Sequence, residues 1–187
     1  MLDQLLSLDS RLLVFLNGLG SETFDGLWLL ITKQQYWTPF FLLLLYAIYK
    51  KIGTKQFLYV ILFITLILVF TDQVTNLFKN SFQRLRPCNS PDINTIIRVV
   101  KTSGSYSFFS GHAANSMAVA TFIYLLMKSH FKYFYLLFLW PLVFAYSRIY
   151  LGLHYPIDIL CGYMFGFLSG YSFYKLHQYC QKKYFPQ

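Results

Sequence analysis

The chain has 187 residues, 56% of them hydrophobic and 21% aromatic, and a formal net charge of +9. With glycine counted, the apolar share is about 61%, above the ~45–50% of a soluble globular domain. This excludes a disordered chain and two large domains, and argues against a soluble enzyme. The charge excess comes with no nucleic-acid-binding motif. Its basic residues stand between apolar runs, the pattern of a small integral membrane protein. Cys88, Cys161 and Cys180 lie far apart and signal neither a zinc site nor a disulfide framework.

In chain order, residues Met1–Asn17 place Leu2, Leu5, Leu6, Leu12, Leu13 and Leu16 on one helical face, with Asp3, Gln4, Ser7 and Ser10 on others. That is an amphipathic helix (1–18), too polar to span and expected to lie in the interface. With Asp3 and Asp9 and no early lysine it does not read as a cleaved signal peptide. Residues Phe24–Ile31 are apolar but are cut from the next apolar run by Lys33-Gln34-Gln35. They form either the first turns of the first span or a short re-entrant piece.

Five stretches then carry no formal charge: Gln34–Tyr49, Gln56–Thr71, His112–Met127, Tyr133–Ser147 and Ile159–Tyr174. Each is shorter than the ~20 residues a perpendicular helix needs to cross a bilayer core. Each helix is therefore expected to run past its charge-free part and to carry polar residues near the membrane surface. The segment Asn80–Phe109 has no periodic pattern, which in a compact protein means function or disorder. Gly162, Gly166 and Gly170 form a small-residue stripe that lets a neighbouring helix come close. The expected fold is an all-α transmembrane bundle of five to six helices with an amphipathic N-terminal helix, one domain over 1–187.

Lys50, Lys51, Lys55, Lys128, Lys132, Lys175, Lys182 and Lys183 fall on one side of a five-span arrangement, and all seven acids fall towards the other. The lysine side is expected to be cytoplasmic. The N-terminal helix and the 80–109 loop then face outward in a cell membrane. That loop and its flanks also carry Lys79, Arg84, Arg86, Arg98, Lys101 and Arg148, which need another task.

Three clusters stand at span ends on that outer side: Lys79 with Arg86-Pro87, Ser110-Gly111-His112, and Ser147-Arg148 followed by His154 and Asp158. An up-and-down bundle brings these ends together. Ionisable groups at membrane depth are costly and mark function by default. Three fixed cations suit a phosphate, since arginine forks match its oxygens and lysine adds a point charge. Ser110, Gly111 and His112 open a helix, where free N–H groups favour an anion. Asp158, four residues after His154, is placed to accept one ring N–H and leave the other nitrogen free to attack phosphorus. His112 is then placed to protonate the leaving oxygen. A zinc site from His112, His154 and Asp158 is disfavoured by the adjacent cations.

Lys79-x6-Arg86-Pro87, then Ser110-Gly111-His112, then Ser147-Arg148-x5-His154-x3-Asp158 resembles the three-part signature of the type-2 phosphatidic acid phosphatase superfamily. That superfamily holds membrane lipid phosphatases, glucose-6-phosphatase and soluble vanadium haloperoxidases. The resemblance covers residues 79–158 and implies metal-free, cofactor-free hydrolysis of a phosphate ester through a phosphohistidine. It implies His154 as nucleophile, Asp158 as orienting acid and His112 as general acid. It implies Lys79, Arg86, Ser110, Gly111 and Arg148 as phosphate ligands. One departure is Phe109, where the family usually has proline, so an altered loop geometry is expected. The haloperoxidase branch does not fit a chain this short and apolar.

The expected function is a lipid phosphatase. Its site lies at the membrane surface, with the bilayer and a lipid phosphate as partners and no nucleic acid. Substrate candidates are phosphatidic acid, phosphatidylglycerol phosphate, a polyprenyl diphosphate and a phosphorylated glycolipid. The basic segment Arg84–Lys101 favours a headgroup with more than one anionic group, which tilts the expectation towards a diphosphate. A phosphotransferase using the same histidine is the first alternative, and a membrane transporter the second. Arg84 is read as a headgroup or solvent-facing residue, Asp72 as a buried polar contact, and Asn115 and Ser116 as interhelical hydrogen-bonding groups. His130 and His177 are read as interfacial. Trp28, Trp37 and Trp140, with Tyr174, Tyr179 and Tyr184, suit aromatic belts.

Overall fold

The structure, a computed structural model, describes residues 2–184. Met1 of the expected N-terminal helix, the end of the expected 1–187 domain, and the side chains of Leu2 and Tyr184 lie outside what is described. The chain is an all-α transmembrane helical bundle. In order it runs α1 (Leu2–Gly18), α2 (Glu22–Ile31), α3 (Thr38–Phe82), α4 (Gly111–Met127), α5 (Leu139–Tyr150) and α6 (Pro156–Tyr184).

The amphipathic helix α1 turns Asp9, Leu13 and Asn17 inward and leaves Asp3, Gln4, Ser7 and Arg11 exposed. Asp9 and Asn17 are buried together with Leu13, while Leu5, Leu6, Leu12 and Phe15 are exposed. The Asn17 amide donates towards the carbonyls of Arg98, Ile149 and Tyr150 and accepts from the Arg98 N–H. Leu13 and Leu16 pack into the core beside these polar atoms, while the remaining described leucines of α1 are exposed. Residues Phe24–Ile31 belong to α2, a helix of its own. Thr32 closes it, and a 3₁₀ turn (Gln34–Trp37) separates it from α3. Its Trp28 stacks on Tyr150 and meets Tyr146 edge-on.

The first charge-free stretch runs from the 3₁₀ turn into the first arm of α3, and the second lies in its second arm. The two arms meet at Gly53, at φ 74° and ψ 172°. A side chain is rarely tolerated at that φ, so glycine makes this break possible. Residues 34–89 are, among those described, the stretch long and apolar enough by length and composition to cross a membrane. Residues Phe134–Tyr150, a 3₁₀ turn continuing into α5, form a shorter apolar rod.

α4 is the buried centre of the bundle, and it packs most extensively against α6. The glycine stripe makes this possible. A Cβ at Gly162 would lie 2.7 Å from the Ser110 carbonyl oxygen, and one at Gly166 or Gly170 would meet the carbonyl of Ala114 or Ala118. The stripe therefore packs within the chain and sets α6 directly against the start of α4.

One end of the bundle is apolar, built around Ile48, Met127 and Leu137. The other end gathers Leu13, Ile93, Ile149, Tyr155 and Ile159, where the 80–109 segment folds over the α5–α6 turn. That segment is pinned by backbone bonds from Cys88 N to Gly152 O, Lys101 N to Leu151 O and Ser107 N to Arg84 O.

Several polar expectations are corrected. Asp72 is exposed and accepts from Asn76 one turn on, because its side of α3 faces away from the bundle. Ser116 donates to His112 O and Ala113 O of its own helix, and Asn115 Oδ1 makes no hydrogen bond among the described residues, so neither ties two helices together. His177 is buried among Tyr59, Phe63 and Phe122 rather than interfacial, since α6 turns that face to α3 and α4.

Candidate active site

His154 lies in the short connection between α5 and α6 and is 1% exposed. Its Nδ1 is 3.4 Å from Asp158 Oδ2, and its Nε2 is 2.9 Å from Arg86 Nη1. A guanidinium only donates, so Nε2 is the acceptor and the ring proton sits on Nδ1, facing the carboxylate. Burial, opposed by the Asp158 hydrogen bond and reinforced by Arg86, pushes the His154 imidazole down to about 3. The ring is therefore neutral near pH 7, with the Nε2 lone pair present.

Asp158 occupies the first turn of α6, which Pro156 opens. Its Oδ2 accepts from the Tyr155 N–H at 3.0 Å and from the Ser107 hydroxyl, and its Oδ1 accepts from Arg84 Nη1 at 2.7 Å. A buried carboxylate with this many donors is held ionised and oriented.

The cations surround this pair. Arg86 is fixed by bonds to the Ser105 carbonyl, the Ser105 hydroxyl and the Leu153 carbonyl. Arg148 is buried and donates to Thr32 Oγ1 at 2.6 Å, while its Nε has no partner among the described residues. The Lys79 ammonium makes no hydrogen bond among the described residues. Its Nζ is 3.8 Å from where a Cβ at Gly111 would stand, so glycine keeps the backbone open beside it. Ser110 caps α4, its hydroxyl accepting from the Ala113 N–H, and its own N–H donates to Asp158 O. The His112 ring packs 5.0 Å from that of Phe144, and the charges of Arg148, Lys79 and Arg86 act on it. The structure thus brings together Lys79, Arg86, Ser110, Gly111, His112, Arg148, His154 and Asp158. Unsatisfied cationic N–H groups beside a helix N-terminus form an anion cradle.

Three residues in this network escape sequence reasoning. Arg84 is neither a headgroup nor a solvent residue: it is ion-paired with Asp158 and with Asp9 of α1. Ser107 and Asp9 complete the set. No local spacing marks any of them, since each pairs across roughly 50 to 150 residues. The loop cations also divide. Arg84 and Arg98 are each neutralised, Arg98 by Asp25 at 2.9 Å. Of the basic segment Arg84–Lys101, these two are therefore structural, which corrects the expectation that the whole segment faces a headgroup.

A neutral, carboxylate-oriented histidine ringed by cations at one end of a transmembrane helical bundle is a site suited to a phosphate ester. The chain belongs to the PAP2 superfamily, whose sequence pattern matches residues 57–182. It is 34% identical to the lipid A 4'-phosphatase of Bacteroides thetaiotaomicron, a match covering 93% of this chain and 79% of that protein. It is 29% identical to the lipid A 4'-phosphatase of Porphyromonas gingivalis, covering 97% and 78%. Its fold is similar to the crystal structure of a transmembrane PAP2-type phosphatidylglycerolphosphate phosphatase from Bacillus subtilis. There the TM-score is 0.70 at 18% identity, over 98% of this chain and 89% of that one. The chain is a lipid phosphatase of this superfamily.

Proposed function

We propose that the protein removes phosphate from a phosphorylated glycolipid through a phosphohistidine on His154. The observation that carries this reading is the ring's setting: Nδ1–H on Asp158, and Nε2 turned to Arg86. As Arg86 Nη1 turns from Nε2 to a phosphoryl oxygen, Nε2 attacks phosphorus and the P–O bond to the lipid breaks, while His112, protonated once the anionic substrate fills the cradle, gives that proton to the leaving oxygen. Lys79, Arg86, Arg148, the Ser110 hydroxyl and the Gly111 N–H hold the charge that builds on the phosphoryl oxygens. Water then attacks phosphorus, His112 takes its proton, and the P–N bond breaks to free phosphate and restore the imidazole. No step calls for a metal or an organic cofactor.

An apolar cavity of about 400 Å³ supports a lipid substrate. It is lined by Trp37, Phe41, Leu44, Ile64 and Val119, and it reaches Phe144, against which His112 packs. A lipid chain there would keep its headgroup at the cations. We read residues 1–187 as one domain crossing the membrane five times, with the lysine-rich end cytoplasmic and the site extracytoplasmic. The similarity to the two lipid A 4'-phosphatases supports a glycolipid over a glycerophospholipid.

A headgroup with a second anionic group has support of its own. Thr32 holds Arg148, and the next residue is Lys33; Lys101 is tied by its N–H to Leu151, three residues past Arg148. The charges of Arg148 and Lys33 both act on Lys101, and neither lysine has a carboxylate in salt-bridge range among the described residues. Phosphate release is therefore expected to be fastest from a bis-phosphorylated glycolipid, ahead of phosphatidic acid and a polyprenyl monophosphate. Replacing Lys33 and Lys101 together by glutamine is expected to raise KM about tenfold, or ~1.4 kcal/mol, on that substrate and to leave phosphatidic acid unchanged. Equal KM changes on both lipids would remove the second anionic group from the reading.

A further inference from the structure

Arg84 has no step in the phosphoryl transfer, yet its guanidinium touches the carboxylate that orients His154. Nη1 lies 2.7 Å from Asp158 Oδ1, and Nη2 lies 2.6 Å from Asp9 Oδ2. The guanidinium carbon stands 3.8 Å above the centre of the Tyr155 ring, so the fork is held in plane between two acids. The other oxygen of Asp9 accepts from the Ile157 N–H at 2.9 Å, one residue before Asp158. Both carboxylates are wholly buried, while the arginine side chain keeps about a fifth of its surface exposed.

The two oxygens of Asp158 are not equivalent. Oδ2 takes the Tyr155 N–H, the Ser107 hydroxyl and the His154 ring, whereas Oδ1 takes Arg84 alone among the described residues. Without Arg84, one oxygen of a buried carboxylate would face no donor, and the charge would lose its nearest cation. Without Asp9, Arg84 would lose one of its two anchors and the α6 start would lose an acceptor. Asp9 belongs to α1, whose Leu5, Leu6, Leu8 and Leu12 are exposed while Leu13 is buried beside it. The chain of contacts therefore runs from an interfacial helix, through one arginine, to the orienting acid.

We propose that Arg84 is a positioning residue that holds Asp158 ionised and aligned on His154, and that Asp9 makes the seated α1 helix part of that device. The proposal rests on the reading of His154 as nucleophile and Asp158 as its partner. Arg84 touches no reacting atom. It acts through Asp158, so its loss reduces kcat and shifts the pH response rather than weakening substrate binding.

The test compares wild type, Arg84→Gln, Arg84→Lys, Asp9→Asn and His154→Ala in lipid vesicles, measuring kcat, KM and the acid limb of kcat with pH, with thermal midpoints alongside. In Arg84→Gln, kcat is expected to fall about 100-fold with KM within threefold, and the acid limb to move up by at least one pH unit, because Asp158 takes up a proton sooner. Arg84→Lys is expected to return the limb towards wild type and recover part of kcat. Asp9→Asn is expected to lose about tenfold in kcat with a smaller upward shift of the limb. If Arg84→Gln does not fold, Asp9→Asn and Arg84→Lys decide. An acid limb unmoved in every folded variant overturns the proposal, even if kcat falls in step with a lowered thermal midpoint, since that is a purely structural salt bridge. His154→Ala separates the two failures: activity surviving there sinks the underlying reading, whereas its loss with an unmoved Arg84 limb sinks this proposal alone.

Discussion

Alanine in place of His154 is expected to lower kcat for phosphate release by at least about 10⁴-fold, with KM changed far less. The size reflects what the ring does. In the proposed mechanism it supplies the attacking atom, and its Nε2 is met by Arg86, which cannot attack in its place. The alanine variant keeps the anion cradle, because Arg86 and Arg148 are held by groups other than His154, namely Ser105, Leu153 and Thr32. Phosphate-bearing lipid should therefore still bind. Steady-state phosphate release with and without EDTA checks this. Activity that persists in His154→Ala contradicts it, and wild-type activity that stops with EDTA would point to metal chemistry instead.

Asp158→Asn is expected to cost about 10²–10⁴-fold in kcat, although the side chain is nearly the same size. Three effects act in one direction. The amide has no charge to stabilise the imidazolium-like ring during P–N bond formation. Its NH₂ group competes to donate to Nδ1, which would favour the tautomer with the proton on Nε2, the atom that must attack. That N–H would then point at the Arg86 guanidinium, donor against donor, 2.9 Å away in the wild-type arrangement. Arg84 also loses one of its two carboxylates. Burst kinetics separate these from a binding defect: the phosphorylation step slows, while the affinity for a non-hydrolysable phosphonate lipid stays within a few-fold. A variant that binds poorly but reacts at the wild-type rate would contradict the orienting role.

Much of this arrangement is legible in the sequence because it depends on local spacing. His154 and Asp158 are one helical turn apart. Ser110, Gly111 and His112 open a helix, and Lys79 and Arg86 bracket the end of one. The charge-free stretches mark the helices for the same reason, since a lipid-facing segment admits few ions. What depends on contacts distant in sequence is not legible. Arg84 sits among other basic residues, and nothing near it says that Asp9 and Asp158 complete it. The N-terminal helix shows its amphipathic pattern, but the pattern alone does not say that Asp9 and Asn17 are buried with Leu13 while Leu5, Leu6 and Leu12 are exposed. His177 looks like the polar residues around it in sequence, and only the docking of α6 on α3 and α4 makes it a core ring. Asp72 fails for the opposite reason: the side of α3 that carries it has no neighbour to bury it. The division between Arg98, paired with Asp25, and Lys101, paired with no acid among the described residues, likewise emerges only once α2 has docked on the 80–109 segment.

The central claim is that a phosphoryl group passes through His154 Nε2. Rapid mixing of the wild-type enzyme with a phosphorylated glycolipid in the presence of EDTA, followed by an alkaline quench and peptide mass spectrometry, tests it most directly. A phosphohistidine mechanism predicts an acid-labile, base-stable phosphate on the peptide containing His154, formed within one turnover and absent from His154→Ala. Turnover with no phosphorylated peptide, or phosphate on any other residue, would contradict it.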